Sequence, residues 1–336
     1  MDLKRFSVGW LAGLALVLSA CSTAAAPQPT AGTSDVHLAL VAYSTPQEAY
    51  ARLIPAFQQQ TTGAGANISI DLSFGSSGSQ TQAIINGLAA DVVALSLASD
   101  VTKLVNANLV APEWNSDPLH GMVTNSVASL VVRKGNPKGI QTWDDLLKPG
   151  IDVVTPDPFQ SGGAKWNILA GYGAQLKAGK SPDEARAFLK DLLRHVQVQP
   201  ASGREAMTTF VGGRGDVLIS YENEAITAQQ SGRDQVDYVI PPSTILIENP
   251  IAVLKTTHNP AAAQAFVDYL RGPDGQRVWA KAGYRPVLKD IGLEFATTFP
   301  VPSGLFTIED LGGWPAVDKQ FFERDNGLIS QLLREP

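Results

Sequence analysis

Ile68, Ile70, Leu72 and Phe74 stand at every second position and run directly into Gly75-Ser76-Ser77-Gly78-Ser79, after which Ile84, Ile85 and Leu88 recur at helical spacing. Strict alternation predicts a strand with one buried face, and the change of period across a small-residue turn predicts a helix behind it. The same unit returns twice. The apolar run 151–154 leads through Pro156-Asp157-Pro158-Phe159-Gln160-Ser161-Gly162-Gly163 into a helix carrying Trp166, Ile168, Leu169 and Leu176. The run 196–198 leads through Ser202-Gly203-Arg204 into a helix carrying Met207 and Phe210. Strands alternating with helices of this size constrain the chain to an α/β fold with mostly parallel sheet.

The remaining segments fit that frame. Residues 36–43 form an apolar strand, and Pro46 suits the first helical position after Ser44 or Thr45. Tyr50, Leu53, Ile54 and Phe57 then make a buried helix face. A strand is expected over 91–97 and a helix over 100–109. The apolar run 127–133 is read as a first crossing between two lobes. Ser181-Pro182-Asp183-Glu184 is a capping box with proline at its first helical position. A strand over 216–220 and a helix over 222–230 follow, and Pro241-Pro242 interrupts the pattern. The run 245–254 is read as the return strand, and Asn259-Pro260 as the cap of a helix with Phe266, Tyr269 and Leu270 on one side, ended by Gly272-Pro273. The expected architecture has residues 36–126 with 251–310 as one lobe, 127–250 as a second lobe inserted through two crossings, and 311–336 as a helical tail. Open sheets of this kind bind ligands at the carboxyl ends of their strands, which a two-lobed arrangement places in the cleft.

The N-terminus reads separately. Lys4 and Arg5 precede an apolar stretch over 8–18, too short to span a bilayer comfortably, and Leu18-Ser19-Ala20-Cys21 follows. That tetrapeptide resembles a bacterial lipoprotein box, which implies cleavage before Cys21, a diacylglycerol on its sulfur, and an extracytoplasmic, membrane-anchored location. Residues 21–35, mostly Ala, Pro, Thr and Gly after the cysteine, read as a tether. Cys21 is the only cysteine, so the folded part has no thiol for catalysis, disulfides or thiolate metal sites. Removing residues 1–20 takes away Asp2, Lys4 and Arg5 and moves the formal charge from −6 to −7. An acidic chain disfavours a nucleic-acid partner, and any anion must be held by local dipoles rather than by overall charge.

Enzyme signatures are sparse. Ser77 lacks the glycine two places on that a nucleophile elbow requires. Neither a Walker A loop, Gly-x-Gly-x-x-Gly nor His-Glu-x-x-His occurs, and His37, His120, His195 and His258 are scattered. Arg214-Gly215-Asp216 forms an adhesion-like tripeptide but reads as a turn entering a strand. What recurs is Ser76-Ser77-Gly78, Ser161-Gly162-Gly163 and Ser202-Gly203-Arg204 at strand-to-helix junctions. The first amides of a helix have no internal acceptor and lie at the positive end of its dipole. Three such ends on one point would hold a small oxyanion; three separate surface turns are the alternative.

Beyond these single features, a series of stretches resembles the periplasmic sulfate/thiosulfate-binding proteins of ABC importers from about residue 40 to 311. The matching segments are Phe74-Gly75-Ser76-Ser77-Gly78-Ser79-Gln80, Val132-Arg133-Lys134-Gly135-Asn136-Pro137, Trp143-Asp144-Asp145-Leu146, Thr155-Pro156-Asp157-Pro158, Ser161 through Asn167, Gly215 through Ala225, and Tyr284-Arg285-Pro286. The resemblance implies the two-lobed type II periplasmic-binding-protein fold and a dehydrated sulfate between the lobes. It places amide donors at Ser77, Gly162, Gly163 and Gly203, a hydroxyl at Ser161, and Tyr221 where the family has an indole. Ser44, Ser76 and Arg204 become supporting residues, Ser44 standing where the family often has aspartate in a Tyr-Asp-Pro turn. Implied further are a membrane permease as partner, a monomer, and neither cofactor, metal nor enzymatic activity. Thiosulfate, molybdate and phosphate are rival ligands on the same fold; phosphate would need a carboxylate in the cleft, with Glu205 or Glu222 as candidates. A serine hydrolase using Ser77 or Ser161, and an anchored adhesin or structural lipoprotein without small-anion affinity, are the rivals from other classes.

Overall fold

The computed structural model describes residues 34–63, 66–232 and 235–334. Cys21, the leader over 1–20 and nearly all of the tether lie outside the described residues.

Strands β1 (Ser34–Tyr43), β2 (Ala66–Gly75) and β3 (Val92–Ala94) alternate with helices α1 (Gln47–Gly63), α2 (Ser77–Ile85) and α3 (Ala98–Asn106). They pair in parallel in the order β2-β1-β3, as βαβ units do. A long strand β4 (Met122–Arg133) then leads to a second series: β5 (Val153–Val154), α4 (Gly162–Lys177), α5 (Pro182–His195), β6 (Val196–Val198), α6 (Gly203–Val211), β7 (Val217–Tyr221) and α7 (Glu222–Gln230). Here β7, β5 and β6 are the parallel set. After β8 (Val236–Val239), the long strand β9 (Ser243–Val253) returns, followed by α8 (Pro260–Arg271), α9 (Pro273–Lys281) and β10 (Gly304–Phe306).

The two parallel sets are joined by β4 and β9, which run antiparallel and change partners along their length. Met122 to Val127 of β4 pairs with β9, and Ala128 to Val132 pairs with β7. In β9, Leu246 to Pro250 faces β4, while Ile251 to Val253 faces β3. The complete order is β2-β1-β3-β9-β4-β7-β5-β6, with β10 beside β9 and β8 beside β4. Six parallel strands therefore direct their carboxyl ends toward the middle of the molecule.

Local chemistry accounts for most boundaries. Ser181 and Glu184 complete the capping box at the start of α5. Two expectations differ. Asn259 makes no cap bond to α8; its amide instead donates to the His37 carbonyl at 3.1 Å, tying α8 to β1. The strand expected from residue 127 begins at Met122, because the preceding residues of β4 find an antiparallel partner in β9 far along the chain. Strands β8 and β10 are short and half-buried, and neither carries a period that sequence could reveal.

The largest apolar cluster surrounds α4 and gathers Trp143, Phe188, Phe306 and the aromatic residues of the C-terminal segment. Trp314 meets Trp166 edge-on with ring centroids 4.7 Å apart, and Phe321 meets Tyr172 at 4.9 Å. The helical tail thus packs against α4. A buried ion pair, Arg285 with both oxygens of Glu222 at 2.6 and 3.0 Å, ties the segment after α9 to α7. Burial raises the Glu222 carboxyl, and Arg285 opposes that rise.

The α4 backbone is packed without spare room: a Cβ on Gly173 would lie 2.2 Å from Phe306 Cε2. Gly173→Val should lower the unfolding free energy by roughly 1–3 kcal/mol, since overpacking outweighs the modest helix-propensity gain. Urea denaturation checks this, and an unchanged midpoint would contradict the packing.

Candidate functional site

At the carboxyl edges of both parallel sets lies a small cavity of about 10 Å³. Its walls are Tyr43, which ends β1, with Ser44 and Thr45; Gly75, which ends β2, with Ser76 and Ser77; and Ser96 after β3. From the other half come Pro156, Ser161, Gly162, Gly163 and Asn167, then Gly203, then Ser220 and Tyr221. Among these lining residues none carries a formal charge.

The structure brings Ser77, Ser161, Gly162, Gly163, Gly203 and Tyr221 to this one cavity, together with Ser44 and Ser76. Each turn is held by its own bonds. Ser161 precedes α4 in extended conformation, and its Oγ accepts weakly from the Ala164 amide at 3.4 Å. The Ser161 amide donates to the Asp157 carbonyl at 2.8 Å, and the Asp157 amide donates to the Pro200 carbonyl at 2.8 Å, joining the turns before α4 and α6. Ser202 caps α6 by accepting from the Glu205 amide at 3.2 Å, which leaves Gly203 facing the cavity.

The Ser77 hydroxyl points away from the ligand space. It donates to Asp100 Oδ2 at 2.7 Å and accepts from the Ser96 amide at 3.1 Å. Only the amide of Ser77, first in α2, is left for the cavity. Asp100 is itself buried and paired with Lys103 Nζ at 2.8 Å.

Arg204 lies behind the cavity wall. Its guanidinium takes both oxygens of Glu48 at 2.5 Å, the Thr45 carbonyl at 2.8 Å and Glu224 Oε1 at 3.0 Å. It therefore ties the start of α6 to the start of α1 and to α7. Burial opposes its charge, and Glu224 and Glu48 more than offset that. The two acids considered for a protonated ligand are also elsewhere: Glu222 is paired with Arg285, and Glu205 accepts from the Ala201 amide at 3.2 Å.

Tyr221 is buried at the end of β7, with its hydroxyl 2.6 Å from Ser96 Oγ and its ring 6.5 Å from that of Tyr43. Burial pushes both phenols well above their ordinary range, so both are protonated. Ser96, Tyr43, Thr45, Asn167 and Ser220 line the cavity although none of them is a site residue expected from the sequence. Ser96 was hidden because the strand expected over 91–97 includes it, whereas β3 ends at Ala94 and leaves Ser96 just beyond its carboxyl end. Among the described residues no group of three or more His, Cys, Asp or Glu is placed to hold a metal ion, and no helix is long and apolar enough to cross a membrane.

A parallel-stranded α/β fold with six strand ends directed at one uncharged, polar cavity defines a receptor for a small polar solute. The family model for bacterial extracellular solute-binding proteins matches residues 38–285, and the chain belongs to that family. It is 42% identical to a sulfate-binding protein of Synechococcus elongatus over 294 residues, 85% of this chain and 84% of the relative. With a sulfate-binding protein of Escherichia coli it shares 38% identity over 97% of this chain and 99% of the relative. Among solved structures, the sulfate-binding protein SubI from Mycobacterium tuberculosis superposes with a TM-score of 0.83 at 44% identity, covering 86% of this chain and all of that one. The architecture is the two-lobed type II periplasmic-binding-protein fold.

Ser77→Ala should remove the donor to Asp100 and the acceptor of the Ser96 amide together. The expected loss is about 1–3 kcal/mol of stability, the cost of leaving buried polar groups without partners. Chemical denaturation measures it; wild-type stability would mean that the hydroxyl bridge is dispensable.

Proposed function

We propose that this chain is the extracytoplasmic receptor of a sulfate importer, holding one dehydrated sulfate dianion in the cavity and delivering it to a membrane permease. One observation carries the reading: the first turns of α2, α4 and α6, with several hydroxyls, surround a space to which no carboxylate contributes. Helix-start amides are donors that need no counter-ion, so they can hold an anion in an acidic protein. In this reading Ser77, Gly162, Gly163 and Gly203 donate through their amides, and Ser161 and Tyr221 through their hydroxyls. Ser44, Ser76 and Arg204 hold the surrounding turns. The names of the relatives support sulfate as the ligand.

The discrimination follows from proton content. Sulfate at neutral pH has no hydrogen to donate, so the amides and hydroxyls of the wall can all serve it as donors. Hydrogen phosphate brings a hydroxyl, and a carboxylate acceptor for it is absent from the lining. Residues 36–126 with 251–310 would act as one lobe and 127–250 as the other, closing about β4 and β9 when the anion bridges them. The protein would act as a monomer, held to the outer face of the membrane by a lipid on Cys21, with residues 311–336 as a helical appendage. The reading calls for binding and delivery and for no catalytic step.

Titration calorimetry of the purified chain with sulfate, thiosulfate, molybdate and phosphate tests the reading. Tight sulfate binding and rejection of phosphate are expected; no affinity for sulfate would overturn it. Ser161→Ala should weaken sulfate by roughly 1–3 kcal/mol, with a loss of stability of about 0.5–2 kcal/mol or less because its Oγ also caps α4 weakly. Wild-type affinity in that variant would remove Ser161 from the site. Small-angle scattering should show a more compact particle with saturating sulfate, and an identical profile would count against closure.

A further inference from the structure

Ser96 lies at the cavity wall with its backbone pinned on both sides. Its amide donates to Ser77 Oγ at 3.1 Å, and its carbonyl accepts from Trp166 Nε1 at 2.9 Å and Asn249 Nδ2 at 3.2 Å. The side chain is pressed on the first turn of α4, since a Cβ on Gly162 would stand 2.8 Å from both Ser96 Cβ and Oγ. So placed, Ser96 Oγ lies 2.6 Å from the Tyr221 hydroxyl.

A phenol has one proton to give and lone pairs that accept, whereas an indole N–H only donates. Left to itself, Tyr221 could therefore accept a hydrogen bond from a protonated anion. One neighbour, Ser96, is at hydrogen-bond distance from its oxygen, and the Asn249 side-chain amide works against the rise in its pKa, as a nearby donor does. The amide's orientation is set by its bond to the Ser96 carbonyl and by Thr124 Oγ1 donating to its Oδ1 at 3.3 Å, so an N–H is what reaches the phenol. Of the two hydroxyl protons, the phenol's is the more acidic and suits a dianion better, which leaves the serine's for the phenol oxygen.

We propose that Ser96 is a specificity-determining positioning residue: with Asn249 it fills the acceptor side of Tyr221, so that the phenol faces the ligand as a donor only. The proposal rests on the cavity being an anion site and extends that reading to how it rejects an anion carrying a hydrogen.

The test is calorimetry on the full chain with sulfate and with inorganic phosphate at neutral pH. Wild type should bind sulfate and discriminate against phosphate. Ser96→Ala frees a lone pair on Tyr221 and should lower the sulfate-to-phosphate affinity ratio about tenfold or more, the size of effect that one matched polar group can give. Ser96→Thr, which keeps the hydroxyl, should restore the ratio. In a Tyr221→Phe background, Ser96→Ala should leave the ratio where Tyr221→Phe put it. Should Ser96→Ala not fold, Ser96→Cys, near-isosteric with only a weak donor, takes its place with the same expectation. An unmoved ratio in the single variant, failure of threonine to restore it, or the same drop without the phenol would each overturn the inference. Absence of sulfate binding by wild type would instead overturn the proposed function.

Discussion

Close approach between the two halves of the molecule at three glycines is the constraint on which the cavity depends. A Cβ at Gly162 would meet Ser96 and Leu97 at 2.8 Å, one at Gly203 would lie 3.2 Å from Thr45 Oγ1, and one at Gly78 would lie 3.1 Å from the Gln160 carbonyl. Each contact joins the start of a helix on one side to a strand end or turn on the other. Without those approaches the first turns of α2, α4 and α6 would be three ordinary surface turns. With them, strand ends that are remote in sequence share one small polar space.

Charge is arranged around that space rather than in it. Asp100 stands one hydrogen bond behind the wall through Ser77, and Arg204 stands behind Gly203, itself neutralised by Glu48 and Glu224. The space itself is lined by backbone amides, hydroxyls and the Asn167 carboxamide, with no charged group among them. Preorganised donors of this kind are worth most where water is excluded, because a low local dielectric strengthens each bond and removes competing partners. The same low dielectric makes an unmatched hydroxyl costly, so tightness and selectivity have a common origin.

The fold was legible because period and punctuation agree over most of the chain. The alternation from Ile68 to Phe74 and the capping box at Ser181 are local, and local signals survive without tertiary knowledge. The three serine-glycine turns stood out for the same reason, whereas Tyr221 was placed only by the family resemblance. Ser96 did not stand out, because its meaning is a hydrogen bond to a residue 125 positions away. Asn167 likewise reads as a helix residue, yet it lines the cavity while donating to Thr155 Oγ1 and the Ile219 carbonyl. The early part of β4 was hidden because its partner, β9, is found only after the whole second βα series has folded between them. Asn259 stands at the N-cap of α8 as its sequence position implies, but without a side-chain cap bond; its amide nitrogen ties α8 to β1.

A crystal structure of the protein with sulfate tests the central idea most directly. The account predicts one sulfate in the cavity, with the amides of Ser77, Gly162, Gly163 and Gly203 and the hydroxyls of Ser161 and Tyr221 at hydrogen-bond distance. A sulfate bound elsewhere, or one touching an aspartate or glutamate oxygen, would contradict it.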